Sequence, residues 1–332
     1  MGVINVFQSW GVLPISVKCP ECGDVMFLKK NDSKNKDYVD GYYFVCKRNE
    51  SQQNPGHKKN TCNKHISIRT NTIFHNSKQT LHGMLTFVIF WVGGNSLAFS
   101  RRQWDICATT ARKWSVFFRD VIIYYMMINT KPIGGPGKFV EINDYKYVKR
   151  YHREHCVDGQ WVFGGIERGN WSNLFMVPVE KRDSAALLAV IEKWILPGST
   201  IVSNGWTTYS NLAKFGYKQE IVDHRILFID KKGKQTNRIK GDWAEVKPSL
   251  PPYNKRKHKF TSYLAKYLFA KICKYHKEDA VKTLFMTAAR FHTDNDLFAE
   301  QFSPVNDVDD DSANDVDDDS DNDLDNNSDN DL

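Results

Sequence analysis

The sequence has no apolar run long enough to cross a bilayer. Its longest, Met84–Val92, falls far short of the ~20 residues a spanning helix needs. Met1–Trp10 lacks a basic n-region leading into a long apolar stretch, and the opening Met1-Gly2-Val3-Ile4-Asn5-Val6 lacks the Ser or Thr of a myristoylation signal. Neither secretion nor a membrane partner is therefore expected. The expected location is intracellular, nuclear in a eukaryotic host and otherwise cytoplasmic. Cysteine is scarce outside one stretch: four of the seven lie in residues 15–75. Basic residues are missing altogether from residues 305–332, which hold 13 Asp.

That last absence hides the charge of the rest. The formal net charge is +7, but without the acidic tail 46 basic residues face only 26 acidic ones, or +20. A body that basic favours a polyanionic partner, and DNA or RNA is the usual one. The tail repeats with a period of eight (Asn306–Ala313, Asn314–Asp321, Asn322–Asp329). It holds too little apolar content to offset the entropy of ordering and is expected to be disordered. It could solvate the chain, recruit a basic protein partner or compete with DNA for the body.

Four segments follow: a cysteine-bearing region 1–75, a helical region 76–133, an α/β region 134–300 and the tail 301–332. In the second, Leu81, Leu85, Val88, Ile89 and Val92, then Trp104, Ala108, Ala111, Trp114, Phe117 and Phe118 recur at helical spacing. After Gly134-Gly135-Pro136-Gly137 the pattern turns strand-like. Strands are predicted at Phe139–Tyr147, Gln160–Glu167, Leu174–Val179, Ser199–Ser203 and Gln219–Asp223. Helices are predicted at Ser184–Ile195, with Ser184 as N-cap, near Thr208–Phe215, and in two or three segments from Thr236 to His292. Such an order predicts an α/β domain with a mixed sheet.

Cys19-Pro20-Glu21-Cys22-Gly23 is a knuckle that presents two thiolates to one face of a tetrahedral metal. Cys46 and Cys62 would complete a Cys-x2-Cys-x23-Cys-x15-Cys set, with His57 or His65 as substitutes. The candidate metal ligands are thus Cys19, Cys22, Cys46 and Cys62, and the metal a structural zinc. A disulfide pair fits an intracellular chain less well. Cys107, Cys156 and Cys273 read as ordinary buried cysteines. Asn95–Tyr125 fits either a helix-turn-helix, with Arg101, Arg102, Arg112, Lys113 and Arg119 offered to DNA, or a plain helical hairpin. Lys255, Arg256 and Lys257 lie in a short basic cluster suited to nuclear import, a phosphate contact or simple solvation.

Several motifs occur together in order: Val140-Glu141-Ile142-Asn143-Asp144, Gly159 through Gly169, Phe175-Met176-Val177-Pro178-Val179, Leu196 through Trp206, Thr236-Asn237-Arg238-Ile239 and Leu250-Pro251-Pro252-Tyr253-Asn254. The set resembles the Merlin-type DDE transposases and the related bacterial insertion-sequence transposases, over residues 15–275. The resemblance implies a zinc ribbon and a helical region before a ribonuclease-H-like mixed sheet with flanking helices. It further implies DNA as partner, assembly as a homodimer or larger, and two Asp and one Glu holding two divalent cations. One cation would activate the attacking oxygen and the other the leaving oxygen of a phosphodiester.

Those three positions are Asn143, Asn204 and Lys240 here. The family's −3 becomes +1. An ammonium 4 Å from a divalent cation is repelled by about 8 kcal/mol at an effective dielectric near 20, so magnesium or manganese is not expected to bind productively. Three functions follow. The first is a transposase-derived DNA-binding protein without catalysis, domesticated or decayed. The second is an active nuclease or transposase with relocated carboxylates, drawn from Glu141, Asp223, Asp242 and Glu245. The third is a chromatin or protein-interaction module acting through the acidic tail.

Overall fold

Helix α1 (Gly2–Ser9) is too short to be stable alone. It persists because Phe7, fully buried, packs on Phe74 and Phe285 at ring-centroid distances of 5.2 and 4.8 Å. These coordinates are a computed structural model, and they describe residues 2–32, 38–47, 62–147, 150–151, 155–156, 159–203, 212–221, 237–246 and 257–298. The acidic tail, Asn204, Asp223, Lys255 and Arg256 lie outside the described residues, as does the side chain of Lys240.

After α1 come four short strands, β1 (Val17–Lys18), β2 (Val25–Lys30), β3 (Tyr42–Val45) and β4 (His65–Ser67), each antiparallel to the next. Three helices follow. Thr80 caps α2 (Leu81–Val92), its hydroxyl accepting from Gly83 N–H at 3.1 Å, and Ser96 caps α3 (Leu97–Arg102) likewise through Phe99 N–H at 3.1 Å. A turn at residues 103–107 leads into α4 (Ala108–Asn129). Asp105 makes that turn at φ 55°, a conformation that Asp tolerates better than most side chains.

The α/β part begins with β5 (Ile133–Gly134) and β6 (Phe139–Tyr147). The small hairpin of β7 (Arg150–Tyr151) and β8 (His155–Cys156) comes next, then β9 (Gln160–Glu167), β10 (Leu174–Val179) and α5 (Ser184–Trp194). After these come β11 (Ile195–Leu196), paired with β5, then β12 (Thr200–Ser203), a 3-10 turn at Leu212–Phe215 and β13 (Lys218–Ile221). Helices α6 (Asn237–Val246), α7 (Lys257–His276) and α8 (Ala280–Phe298) complete the described chain. The main sheet has the order β10-β9-β6-β12-β13. β9 is antiparallel to both of its neighbours, β10 and β6, and β12 runs parallel to both β6 and β13.

The mixed sheet that the alternation predicts is present, and β6, β9 and β10 keep the predicted bounds. Other details differ. Asp183, not Ser184, caps α5, its Oδ1 accepting from Ala186 N–H at 2.8 Å. A carboxylate there also meets the positive end of the helix, which a hydroxyl at Ser184 does not. Cys107 is exposed, because it caps α4 rather than lying on its inner face.

Two cores cover the sheet. On one face Val140, Ile142, Phe163, Phe175 and Ile201 pack against Leu187 and Ile191 of α5. On the other Val162, Ile166, Leu174 and Met176 meet Ile239 and Trp243 of α6 and Phe260, Leu264 and Leu268 of α7. A third core joins α1, the small sheet, α2, α4 and α8, and takes Ala265, Phe269 and Cys273 from the opposite side of α7. The changes of secondary structure near residues 75 and 133 are thus not breaks in packing. Among the described residues no helix is long and apolar enough to cross a membrane.

One contact gives a test against helix propensity. A Cβ on Gly83 would lie 1.6 Å from Nε1 of Trp104, the ring that closes the α3–α4 turn over α2. Gly→Ala inside a helix ordinarily stabilises by about 1 kcal/mol. Here the clash should reverse the sign, and Gly83→Ala should destabilise by about 1–3 kcal/mol in denaturant melts. A stabilised variant would show that Trp104 does not pack there.

Candidate metal centre and the polar face of the sheet

The first hairpin carries Cys19 and Cys22 between β1 and β2. The second brings Cys46, directly after β3, and Cys62, ahead of β4, to the same end of the small sheet. The knuckle is closed by Cys19 N–H donating to Asp24 O at 2.8 Å and Gly23 N–H donating to Cys19 O at 2.9 Å. Gly23 sits at φ +77°, where a side chain would be strained. One ligand atom from each of the four cysteines lies within 4.8 Å of every other, with Sγ–Sγ separations of 3.6 Å for Cys19–Cys62 and 3.4 Å for Cys22–Cys46. Four thiols so placed could hold a metal ion. Burial works against the Cys19 thiolate, but backbone N–H groups at Glu21 and Cys22 outweigh it and bring the thiol down to about 7. Glu21 and Lys64 pair at 3.0 Å and tie the knuckle to the second hairpin. His65 packs on the Tyr43 ring, while His57 lies outside the described residues.

The second candidate region is the sheet face under α6. Asn143 stands on the central strand β6, opposite Gly164 of β9. Alternation puts Glu141, Asn143 and Tyr145 on one face, and Tyr145 stacks on Trp243 of α6 at 5.9 Å. Gly164 lets the helix come this close, since a Cβ there would be 3.1 Å from the Trp243 ring. The strand bearing Asn143 and the helix bearing Lys240 therefore face each other. Ile239 and Trp243, on that helix, are core residues.

Each described carboxylate near this face has a cation. Glu141, 2% exposed, accepts from Arg168 Nε at 2.8 Å. Asp242, also 2% exposed, pairs with Lys271 of α7. Glu245 accepts from the same Lys271 at 3.2 Å and from the Tyr267 hydroxyl at 3.1 Å. Asp144, on the opposite face, pairs with Arg182 just ahead of α5. Sequence reasoning did not anticipate Arg168, Arg182 or Lys271. The available signal was the acids themselves, since a carboxylate on a strand or helix that buries its neighbours needs a partner.

The basic candidates separate. Arg102, Arg112 and Lys113 are exposed around the α3–α4 turn, and Arg101 is half-buried beside them. Arg119 is drawn inward, its guanidinium 4.6 Å from the ring of Tyr263 on α7. Lys257 opens α7.

The structure is an α/β domain whose mixed sheet carries polar groups under a covering helix, preceded by four cysteines that could hold a metal ion. Residues 128–270, from the end of α4 into α7, match the family model of the ISXO2-like transposase domain, and the chain carries a transposase domain there. No curated protein matches the chain.

Elemental analysis of the purified full chain should return one metal ion per chain. Cys22→Ser should lose it, and Cys107→Ser should not. Cys19 and Cys46 belong to the core that includes α1, α2 and α8, so chelation should also lower the melting temperature. An unchanged melting temperature after complete metal removal would contradict a structural role.

Proposed function

We propose that this chain is a transposase-derived DNA-binding protein that no longer cuts or joins DNA. The observation that carries the reading is the uncharged Asn143 on the central strand, with Glu141 and Asp242 beside it already committed to Arg168 and Lys271. The sheet order β10-β9-β6-β12-β13, in which β9 alone runs opposite to the other four strands, supports a ribonuclease-H-like domain. In that arrangement the carboxylates for two divalent cations come from the central strand, from just past the fourth strand and from the helix across the sheet. Here those positions are Asn143, Asn204 and Lys240. The residues present do not fit magnesium or manganese, and no catalytic step is routed through either.

Support for the remaining parts is of the same kind. Four converging thiols are a soft donor set that favours zinc, in a closed structural site. The short helix α3, the Asp105 turn and the exposed Arg112 and Lys113 in the first turns of α4 fit a helix-turn-helix whose second helix meets DNA. A +20 body supplies the sequence-independent attraction. Use of relocated carboxylates is disfavoured, because drawing Glu141 or Asp242 onto a metal gives up an ion pair and leaves a half-buried cation without its partner.

The test is strand cleavage on DNA that carries a matching transposon end, with magnesium or manganese. The chain as it stands should be inactive. Joint reversion by Asn143→Asp, Asn204→Asp and Lys240→Glu should restore divalent-cation binding, and single reversions should do little, since ligands that share metals act as a unit. Cleavage by the unaltered chain, abolished by Glu141→Gln, would establish a relocated active site instead. Deleting residues 305–332 should strengthen DNA binding at low salt, with the gain shrinking as salt rises. Equal affinities at low salt would show that the tail does not compete.

A further inference from the structure

We propose that Arg119 of α4 and Lys266 of α7 form an anion site that holds one backbone phosphate of DNA at the seam between the two helices. The choice of ligand rests on the DNA-binding reading above, while the site itself rests on geometry. The Lys266 ammonium lies 4.1 Å from the ring centroid of Trp91 on α2, and the Arg119 guanidinium lies over Tyr263, one turn before Lys266 on α7. Both cations are half-buried. Among the described residues neither makes an ion pair, and Arg119 Nε is buried with no hydrogen-bond partner. Asp120, next to Arg119 on α4, acts on it through space only.

The contrast within the molecule is informative. Arg69, Arg168, Arg182 and Lys271 are comparably shielded, and each sits on a carboxylate. Arg119 and Lys266 instead lie over two aromatic rings, with no carboxylate in hydrogen-bonding contact among the described residues and only the through-space charge of Asp120 near Arg119. A cation–π contact contributes about 0.5–2 kcal/mol, but it leaves the repulsion between the two charges in place. Burial first, and the Arg119 charge second, pull Lys266 down to about 7. A phosphate satisfies both cations at once: the guanidinium offers a planar fork, the ammonium a mobile point charge. Arg112, exposed, lies seven residues before Arg119 and so nearly on the same side of α4. The seam therefore continues the basic face of that helix toward α7.

The experiment is binding of the full, metal-loaded chain to labelled duplexes of unrelated sequence, measured by fluorescence anisotropy over a salt series. Lys266→Gln should weaken binding roughly tenfold at low salt, the scale of one charge-assisted hydrogen bond. The slope of log affinity against log salt should fall by about 0.9, equally for every duplex, as for a phosphate contact. Lys266→Arg should restore most of the loss. If Lys266→Gln does not fold, Lys266→Met keeps the stem on Trp91 and should show the same loss. Unchanged affinity and slope in Lys266→Gln, with Arg112→Ala weakened, would overturn this site and leave the DNA-binding reading standing. If no duplex binds the unaltered chain, the DNA-binding reading fails and inorganic phosphate decides the site. At matched ionic strength phosphate should then raise the melting temperature of the unaltered chain more than that of Lys266→Gln. Equal shifts would overturn the site.

Discussion

The structure depends on α7 being apolar on two sides. Phe260, Leu264 and Leu268 recur every four residues and close the sheet, while Ala265, Phe269 and Cys273 recur likewise and close the helical core. One helix thus fastens the transposase domain to the segment that bears the four cysteines. Burying a Phe or Leu side chain contributes about 1.5–3 kcal/mol, and removing one from a filled core costs about 2–5 kcal/mol. A defect on either side of α7 therefore reaches both parts. Tyr267 and Lys271 reach toward α6, and Tyr263 and Lys266 toward α4 and α2.

This placement explains the electrostatics of the sheet face. A site for two divalent cations needs several carboxylates whose charges go unanswered by the protein until the metals arrive. The face under α6 has a different character, with one asparagine on the central strand and each described acid beside it answered by Arg168 or Lys271. Taking a buried carboxylate back for a metal would leave its cation stranded. Ile239, Trp243 and Gly164 hold α6 on the sheet by packing, which does not depend on a carboxylate at Asn143.

Much of this was legible in the residues. Strict alternation located β6, β9 and β10 to the residue, since a slip of one would turn Val140 and Ile142 out of the core. The Cys19–Cys22 spacing announced the knuckle, and Cys46 and Cys62 converge on it despite wide separation in sequence. Other features depend on tertiary contacts that a local pattern does not encode. Helix α1 exists through Phe74 and Phe285, far away in the chain. Arg119 reads as one more basic residue of α4 until Tyr263 and Lys266 appear beside it. Asp183 and Ser184, adjacent in sequence, are equally good caps by type, so only the folded chain shows that Asp183 takes the position.

The central claim is that the sheet has lost its divalent-cation site while keeping its fold. The most direct measurement is manganese binding to the zinc-loaded full chain, read by electron paramagnetic resonance of the free ion, with and without duplex DNA. The account predicts that free manganese tracks total manganese at low millimolar concentration, with no saturable site on the chain. Saturable binding of two manganese ions per chain that Glu141→Gln removes would contradict it.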